Sequence, residues 1–328
     1  MILRGIDFGR VFNSSGARNF DGRGWWYHKY AKPFGLDYEG STFVAKTTTL
    51  HARQGNMKLG EDAMTPTSLF PDCIRVNWLQ GHALNAVGLS GPGAQWLLDN
   101  GTWMGQTKPF FISFMSVADT RTARLSELSQ FVQLFRTYPI AAVPFGLQIN
   151  FSCPNVGLDP TKIADEMSDS LDIAEALGVP IVPKINATFP HSAIFKIQNH
   201  RSLDAICVSN TIPWGQLPDL INWPALFGTT TSPLAQYGGG GLSGRPLLGI
   251  VARWISDLRY SYTKKSRQFN KPVVAGGGIL SKEDVEIMLI GVGADAIELG
   301  SVSMLRPWRV QGIIEHANSL GKTPRSKL

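Results

Sequence analysis

Cysteine is scarce in this sequence, with three residues among 328. Cys73, Cys153 and Cys207 are odd in number and far apart, a distribution that fits neither a disulfide framework nor a zinc cluster. The six histidines show no metal-ligand spacing. These patterns are typical of a reducing compartment, and they predict no bound metal.

Long hydrophobic runs are also absent, because no apolar stretch approaches the ~18 residues that a membrane-spanning helix needs. Arg4, Asp7 and Arg10 stand where a signal peptide requires unbroken apolar sequence. We therefore expect a cytoplasmic protein without a membrane span.

Basic residues only slightly outnumber acidic residues, 31 to 25, which gives a net charge of +6. The excess is concentrated in the last stretch from Arg306 and in a second run between Arg259 and Lys271. No helix-turn-helix, zinc-finger or RNA-binding motif accompanies either run, so solvated loops are the commoner explanation. We expect no nucleic-acid partner, although a basic barrel that binds nucleic acid through its tail remains an alternative.

The composition is that of a globular chain, with 43% hydrophobic and 17% charged residues. Short β-branched runs alternate with helical periodicity, which is typical of consecutive βα units. About eight strands are predicted, the number that closes a parallel barrel. The sequence thus predicts an α/β protein with a single (β/α)8 TIM barrel domain over residues 1–328 and a long insertion, 215–244, after the sixth strand. The predicted strands lie at 11–15, 43–46, 109–117, 145–151, 180–185, 205–208, 272–275 and 294–299.

Polar side chains follow many of these strands, and in such a barrel the carboxyl ends of all strands meet at one mouth. Glycine-rich turns after the last two strands, around Gly277 and Gly300, would let backbone amides approach a phosphate. Glycines also simply terminate strands, but two clusters at consecutive strand ends favour a phosphorylated cofactor. The polar residues at or after the strand ends are Lys46, Asn150, Cys153, Lys184, Asn210 and Thr211.

Cys153 has two interpretations, since free cysteine is usually inert core packing. Its position in a loop at the barrel mouth, beside Pro154 and Asn155, favours a general base instead. Lys46 and Lys184 could be ordinary exposed lysines. A lysine inside the apolar PIVPKI run, however, needs an anionic partner such as a phosphate or a reduced cofactor.

The segment GWWYHKY at 24–30 also has two interpretations. Its aromatic residues could stack on nucleic-acid bases, but only Arg23 and Lys29 lie nearby as basic residues. We expect the aromatic side chains to pack over the barrel or at a subunit interface.

INFSCPN at 149–155, GGGLSGRPL at 239–247 and VVAGGGI at 273–279 followed by IELGS resemble the dihydroorotate dehydrogenases. The resemblance runs from VFNSSG at 11–16 to Ser301, and the cysteine is similar to that of the soluble class 1 enzymes. It implies an FMN-containing barrel that oxidises dihydroorotate to orotate in pyrimidine biosynthesis, an expected homodimer, and an electron-transfer partner subunit as one option. Fumarate, NAD through that partner, a quinone and oxygen remain alternative acceptors.

The resemblance also implies roles for individual residues. Cys153 would remove a proton from C5 of dihydroorotate while a hydride leaves C6 for the flavin, and Lys46 would lie between substrate and flavin. The expected substrate-binding residues are Lys46, Asn85, Gly88, Leu89, Asn150, Asn155, Asn210 and Thr211. The expected flavin contacts are Ser15, Gly16, Lys46, Thr47, Asn150, Lys184, Ser243, Gly244, Gly277, Gly278, Gly300 and Ser301. The alternative function is that of a related flavin enzyme acting on uracil-like dihydropyrimidines.

Overall fold

The computed structural model describes residues 1–151, 160–260 and 269–321. The strands are β1 (Ile2–Leu3), β2 (Ile6–Asp7), β3 (Val11–Asn13), β4 (Ile74–Asn77), β5 (His82–Asn85), β6 (Phe110–Phe114), β7 (Phe145–Asn150), β8 (Ile181–Ile185), β9 (Ile206–Val208), β10 (Ile212–Pro213), β11 (Gly241–Gly244), β12 (Val273–Gly276) and β13 (Ala296–Leu299). The helices are α1 (His28–Ala31), α2 (Ala94–Asp99), α3 (Arg121–Thr137), α4 (Pro160–Glu175), α5 (His191–Ile197), α6 (Trp223–Phe227), α7 (Leu247–Tyr260), α8 (Lys282–Glu286), α9 (Ser301–Leu305) and α10 (Val310–Ser319).

Seven parallel strands form one curved sheet in the order β3-β13-β12-β9-β8-β7-β6. The segment 42–48 lies between the two edges of this sheet, pairing in parallel with β3 at Thr42 and with β6 at Val44 and Thr48. These bridges close the ring with an eighth strand, which confirms the predicted (β/α)8 barrel. The eighth strand is irregular because the Lys46 N–H donates to the carbonyl of Asn19 rather than to a neighbouring strand, at 3.0 Å.

Strands β6 to β8 are buried along nearly their whole length, as expected where helices cover the outside of a parallel sheet. Helix α3 packs Leu128, Phe131, Val132 and Phe135 inward, the spacing that the sequence predicts. The Phe131 ring lies 4.0 Å from that of Phe114 on β6. Burial of these apolar faces holds the helical layer against the barrel.

A second sheet was not predicted from the sequence. It is antiparallel and has the order β10-β11-β5-β4. It joins two chain segments that lie outside the barrel, namely the one after β9 and the one between residues 48 and 110. Its strands have two to four residues each, too few for a period-of-two pattern to stand out. Gly244 permits the contact between β11 and β5, because a Cβ there would lie 2.3 Å from the carbonyl oxygen of Gly81.

Candidate active site

A cavity of about 1180 Å³ lies at the carboxyl ends of the barrel strands. Its lining includes all but three of the residues expected to bind substrate or flavin or to act as the base. Cys153 and Asn155 lie outside the described residues, and Gly278 is not part of the lining. The expected residues in the lining are Ser15, Gly16, Lys46, Thr47, Asn85, Gly88, Leu89, Asn150, Lys184, Asn210, Thr211, Ser243, Gly244, Gly277, Gly300 and Ser301.

Hydroxyl and amide groups from five strand ends form one hydrogen-bonded network in the cavity floor. The Thr47 Oγ1 lies 2.9 Å from the Ser15 Oγ and 3.0 Å from the Ser113 Oγ. The Asn150 Nδ2 donates to Thr47 at 2.6 Å and to Ser113 at 3.0 Å. The Asn210 Nδ2 donates to the Asn150 Oδ1 at 3.2 Å. This fixes both amides, and within the described part of the chain it leaves the Asn210 Oδ1 as an acceptor for a ligand N–H.

Lys46 is a buried cation without a carboxylate partner among the described residues. Its Nζ donates to the carbonyl of Ser90 and lies 4.4 Å from the centre of the Phe20 ring. Burial lowers the pKa of Lys46 to about 7, because the ammonium is removed from water and no described acid compensates. The side chain therefore titrates near neutral pH, and an anionic ligand would favour its charged form.

Lys184, the second buried lysine, has an acidic partner that the sequence analysis did not identify. Its Nζ lies 2.6 Å from the Glu298 Oε2, and both side chains are almost fully buried. Burial opposes the charge on Lys184, but the attraction and the hydrogen bond to Glu298, together with the influence of nearby Cys207, outweigh it and raise the pKa of the lysine. The structure therefore supplies, within the protein, the anion that a lysine in this strand requires.

Two further asparagine side chains, those of Asn85 and Asn186, line the cavity outside this network. The Asn85 Nδ2 donates to the carbonyl of Gly241 at 3.4 Å, which ties β5 to β11. The Asn186 Nδ2 donates to the carbonyl of Thr211 at 3.4 Å. These bonds hold the wall that carries Thr211 and leave polar groups facing a ligand space lined by Gly88 and Leu89.

The glycine turns after β12 and β13 lie where the sequence places them. Gly277 and Gly300 line the cavity, and α9 begins at Ser301 directly after Gly300. Gly278 has a different environment. Its φ is +79°, and a Cβ there would lie 2.6 Å from the backbone nitrogen of Leu248. Gly278 therefore allows the turn to pack closely against α7, and it contributes to the cavity only through the position of Gly277.

The aromatic segment 24–30 covers one side of the cavity mouth, so it packs over the barrel as expected. The Trp25 Nε1 donates to the carbonyl of Gly16 at 2.7 Å, and the Trp25 N–H donates to the His28 Nδ1 at 3.1 Å. The His28 Nε2 lies 3.0 Å from the Ser303 carbonyl on α9. Burial lowers the pKa of His28 to about 4, so the ring is neutral at physiological pH and can bridge these groups.

Large apolar side chains surround the outer part of the same cavity, and each of them is at least half exposed. The Trp26 ring contacts two of them, edge to face, at centroid distances of 6.1 and 6.0 Å. The mouth is thus apolar although the floor is polar, an arrangement common in ligand sites. These exposed lining residues are Tyr30, Phe34, Leu69, Phe70, Trp78 and Trp308.

The polar residues of the site that were missed in the sequence analysis include Ser113, Asn186 and Glu298. Ser113 and Glu298 each interrupt an apolar strand, which is the same signal that singled out Lys184. Asn186 follows Lys184 by two residues, directly after the end of β8. A systematic search for polar residues within or just after apolar strands would have found all three.

Other candidate groups are limited within the residues that the structure describes. There, no three His, Cys, Asp or Glu side chains are grouped so that they could hold a metal ion. Cys73 and Cys207 are buried free thiols. Over the same residues, no helix is both long and apolar enough to cross a membrane.

Comparison with known proteins decides the family. A family model described as dihydroorotate dehydrogenase matches residues 20–320. The chain belongs to the dihydroorotate dehydrogenase family. It is accordingly an oxidoreductase, and the match covers both glycine turns and every lysine and asparagine side chain described in the cavity. Family membership confirms the resemblance on which the expected fold and enzyme class depend.

Individual relatives within the dihydroorotate dehydrogenase family are distant but cover most of the chain. The catalytic subunit of dihydroorotate dehydrogenase B (NAD(+)) from Anoxybacillus flavithermus is 28% identical over 301 residues, covering 89% of this chain and 82% of that protein. The same subunit from Bacillus mycoides is 27% identical over 300 residues, with 89% and 83% covered. Among solved structures, the chain is similar to a mutant tryptophan synthase alpha-subunit from Pyrococcus furiosus. That structure is 14% identical in sequence, has a TM-score of 0.35, and the similarity covers 69% of this chain and 70% of that one.

Proposed function

We propose that this protein oxidises dihydroorotate to orotate in pyrimidine biosynthesis, with FMN as its bound cofactor. The observation that carries the proposal is that two buried lysines, an amide and hydroxyl network and two glycine turns all meet at one cavity. Its volume exceeds the ~300–1,000 Å³ typical of a pocket for one small ligand, which agrees with a site for both a cofactor and a substrate.

The donor set fits FMN. Gly300 and Ser301 offer backbone amides at the start of α9, and Gly277, in the turn after β12, lines the same cavity, which together are a suitable environment for a phosphate. Lys184 has two of its three N–H bonds used by Ser14 and Glu298 in the described structure, so one remains for a ring carbonyl or nitrogen. When bound, FMN supplies a two-electron acceptor for the hydride that leaves C6. The residues proposed to hold it are Ser15, Gly16, Lys46, Thr47, Asn150, Lys184, Ser243, Gly244, Gly277, Gly300 and Ser301, and Gly278 is proposed to act through the position of Gly277.

Lys46 supports dihydroorotate over uracil-like rings as the substrate. Dihydroorotate carries a carboxylate, whereas an uncharged ring would leave the buried Lys46 ammonium uncompensated. The amides of Asn85, Asn150 and Asn210 offer donors and acceptors to the ring carbonyls and N–H groups. Gly88, Leu89, Asn155 and Thr211 complete the proposed substrate set.

Cys153 is the proposed general base. The thiolate would take the proton from C5 as the hydride departs from C6, leaving the C5–C6 double bond of orotate. An unperturbed thiol has a pKa of about 8.5, so proton abstraction through Cys153 should become faster as the pH rises toward that value.

The electron acceptor is proposed to be NAD⁺, reached through a partner subunit. This proposal is supported by the relatives, which are named as catalytic subunits of an NAD(+) enzyme. The expected homodimer and the single-domain organisation stay predictions from the sequence.

Three measurements test the proposed function. The purified protein should be yellow and show a flavin absorption spectrum. Orotate should perturb that spectrum at concentrations at which uracil does not. Rapid mixing with dihydroorotate should bleach the flavin in a single turnover. A yellow protein that responds to uracil and is not bleached by dihydroorotate would instead support the dihydropyrimidine alternative, and a colourless protein would refute both.

A further inference from the structure

Glu298 lies at the centre of a polar cluster inside the barrel. Besides its contact with Lys184, the Oε2 accepts a hydrogen bond from the Ser14 Oγ at 3.3 Å. The Ser14 Oγ itself accepts from the Lys184 Nζ at 3.0 Å. The three side chains therefore form a closed triangle, and they all line the cavity in which we place the cofactor.

Two further strands contribute to the same carboxylate. The Gln148 Nε2 of β7 donates to the Glu298 Oε1 at 3.0 Å, and the Cys207 Sγ of β9 donates to the Oε2 at 3.4 Å. Burial, together with the nearby Glu298, raises the pKa of the Cys207 thiol, so this group stays neutral. The titratable groups that face Glu298 from the described elements are thus Lys184 and Cys207, whereas Gln148 and Ser14 are neutral and Gly276 of β12 adds no side chain.

An ionised Glu298 accounts for this arrangement. Each of its neighbours donates a hydrogen bond to it, and a carboxylate is an acceptor only. The Gln148 amide directs its Nε2 to Glu298 although its own buried Oε1 then has no hydrogen-bond partner. Lys46 shows what happens to a buried lysine without such a partner, since burial lowers its pKa to about 7.

We propose that Glu298 is a positioning residue that keeps Lys184 protonated before the bound cofactor is reduced. The inference rests on the proposed function, because it concerns the lysine assigned to the flavin. Two-electron reduction of a bound flavin would then require one proton for the flavin ring and none for Lys184. The positive charge that stabilises the reduced cofactor is in place before the hydride arrives.

Without Glu298 the proton balance changes. In Glu298→Gln, Lys184 would be a neutral amine while the flavin is oxidised, because burial of an uncompensated ammonium is costly. The negative charge of the reduced cofactor would then replace the missing carboxylate. The same two-electron reduction would take up two protons, one on the ring and one on the Lys184 Nζ.

The experiment measures the midpoint potential of the flavin against pH, from about pH 7.5 to 9.5, above the range in which an uncompensated buried lysine is charged. All proteins in the series carry Lys46→Met, which removes the other buried lysine of the cavity, because its pKa of about 7 would let it take up a proton in the same pH range. Protein with Glu298 intact should show the slope for one proton per two electrons, and Glu298→Gln should show twice that slope. Glu286→Gln is the matched control, since this half-exposed glutamate pairs with His316 on the outside of the protein. Addition of Lys184→Met to Glu298→Gln should restore the one-proton slope.

The outcomes separate the two proposals. A two-proton slope with Glu298 intact and Lys46 replaced would overturn the inference, and an unchanged slope in flavin-loaded Glu298→Gln would overturn it as well. If the wild-type protein does not bind flavin, the proposed function and the inference are both overturned. A doubled slope that also appears in Glu286→Gln would show that the effect is not specific to the Lys184 pair.

Discussion

Raising the pH should weaken orotate binding through Lys46. The pKa of this lysine is lowered to about 7 in the free protein because its ammonium is buried without a described acid. A carboxylate ~4 Å away would gain about 4 kcal/mol at an effective dielectric constant of about 20. That gain is enough to hold the lysine protonated in the complex at neutral and mildly alkaline pH. The complex therefore binds more protons than its separate components above pH 7.

The sign and size of the effect follow from this difference. Because binding takes up a proton wherever free Lys46 is neutral, affinity must fall as the pH rises. At pH 8.5 only about 3% of a group with a pKa near 7 is protonated, so orotate should bind ~30-fold more weakly than at pH 6, or about 2 kcal/mol. Calorimetry in two buffers of different ionisation enthalpy should count nearly one proton taken up per orotate at pH 8.5.

Two variants complete the test. Lys46→Met should bind orotate weakly and with little dependence on pH, because the titrating group is gone. Lys58→Met is the matched control. Because the Lys58 side chain is exposed to solvent, this variant should leave the pH dependence of orotate binding unchanged. Orotate affinity that is constant between pH 6 and 8.5 in the wild type would refute the assignment of Lys46 to the substrate carboxylate.

Three further predictions concern other parts of the site. Cys153→Ala should slow flavin reduction by dihydroorotate at least ~100-fold in stopped-flow measurements, and Cys153→Ser should keep some activity with its pH profile moved upward; near wild-type single-turnover rates in the alanine variant would exclude a base at this position. Thr47→Val should cost ~1–3 kcal/mol of orotate binding by spectral titration, because it removes the hydroxyl shared by the cavity network, whereas exposed Thr67→Val should cost nothing. Gly278→Ala should lower the free energy of unfolding by ~1–3 kcal/mol, since φ is +79° and the new Cβ would lie 2.6 Å from a backbone nitrogen of α7. Its control, Gly249→Ala on α7, adds a Cβ that meets nothing within 4 Å and should be neutral or stabilising by up to ~1 kcal/mol, so equal unfolding midpoints for the two variants would contradict the argument.

The barrel could be predicted from the sequence because its signals are local. A parallel strand buried on both faces is a continuous apolar run, and β6, β7 and β8 lie within the predicted ranges. The antiparallel sheet could not be predicted, because its pairing is set by distant chain segments. Asn85 of β5 pairs with Gly241 of β11, and neither strand exceeds four residues. Nothing local in either segment indicates the partner.

The site was predictable where a polar residue interrupts or follows an apolar strand, as at Asn150 and Lys184. What the sequence could not supply was the pairing between strands. Lys184 predicts a buried anion, but only closure of the barrel shows that Glu298 is within 2.6 Å. The same limit applies to Ser113, whose hydroxyl joins the cavity network through contacts with Thr47 and Asn150.

The two buried lysines, Lys184 and Lys46, have different electrostatic roles in the site. Lys184 and Glu298 together carry no net charge, so the pair can sit in the barrel interior without an external ion, although its dipole can still stabilise charge nearby. Lys46 has no such partner in the described structure and becomes charged most readily when an anion arrives. The Glu298 carboxylate is therefore the main difference between the two lysines. Lys184, which has this partner, is suited to a permanently bound cofactor, and Lys46, which has none in the described structure, is suited to a ligand that binds and dissociates. Loss of Glu298 should alter the redox potential and its pH dependence, whereas loss of Lys46 should alter ligand affinity and its pH dependence.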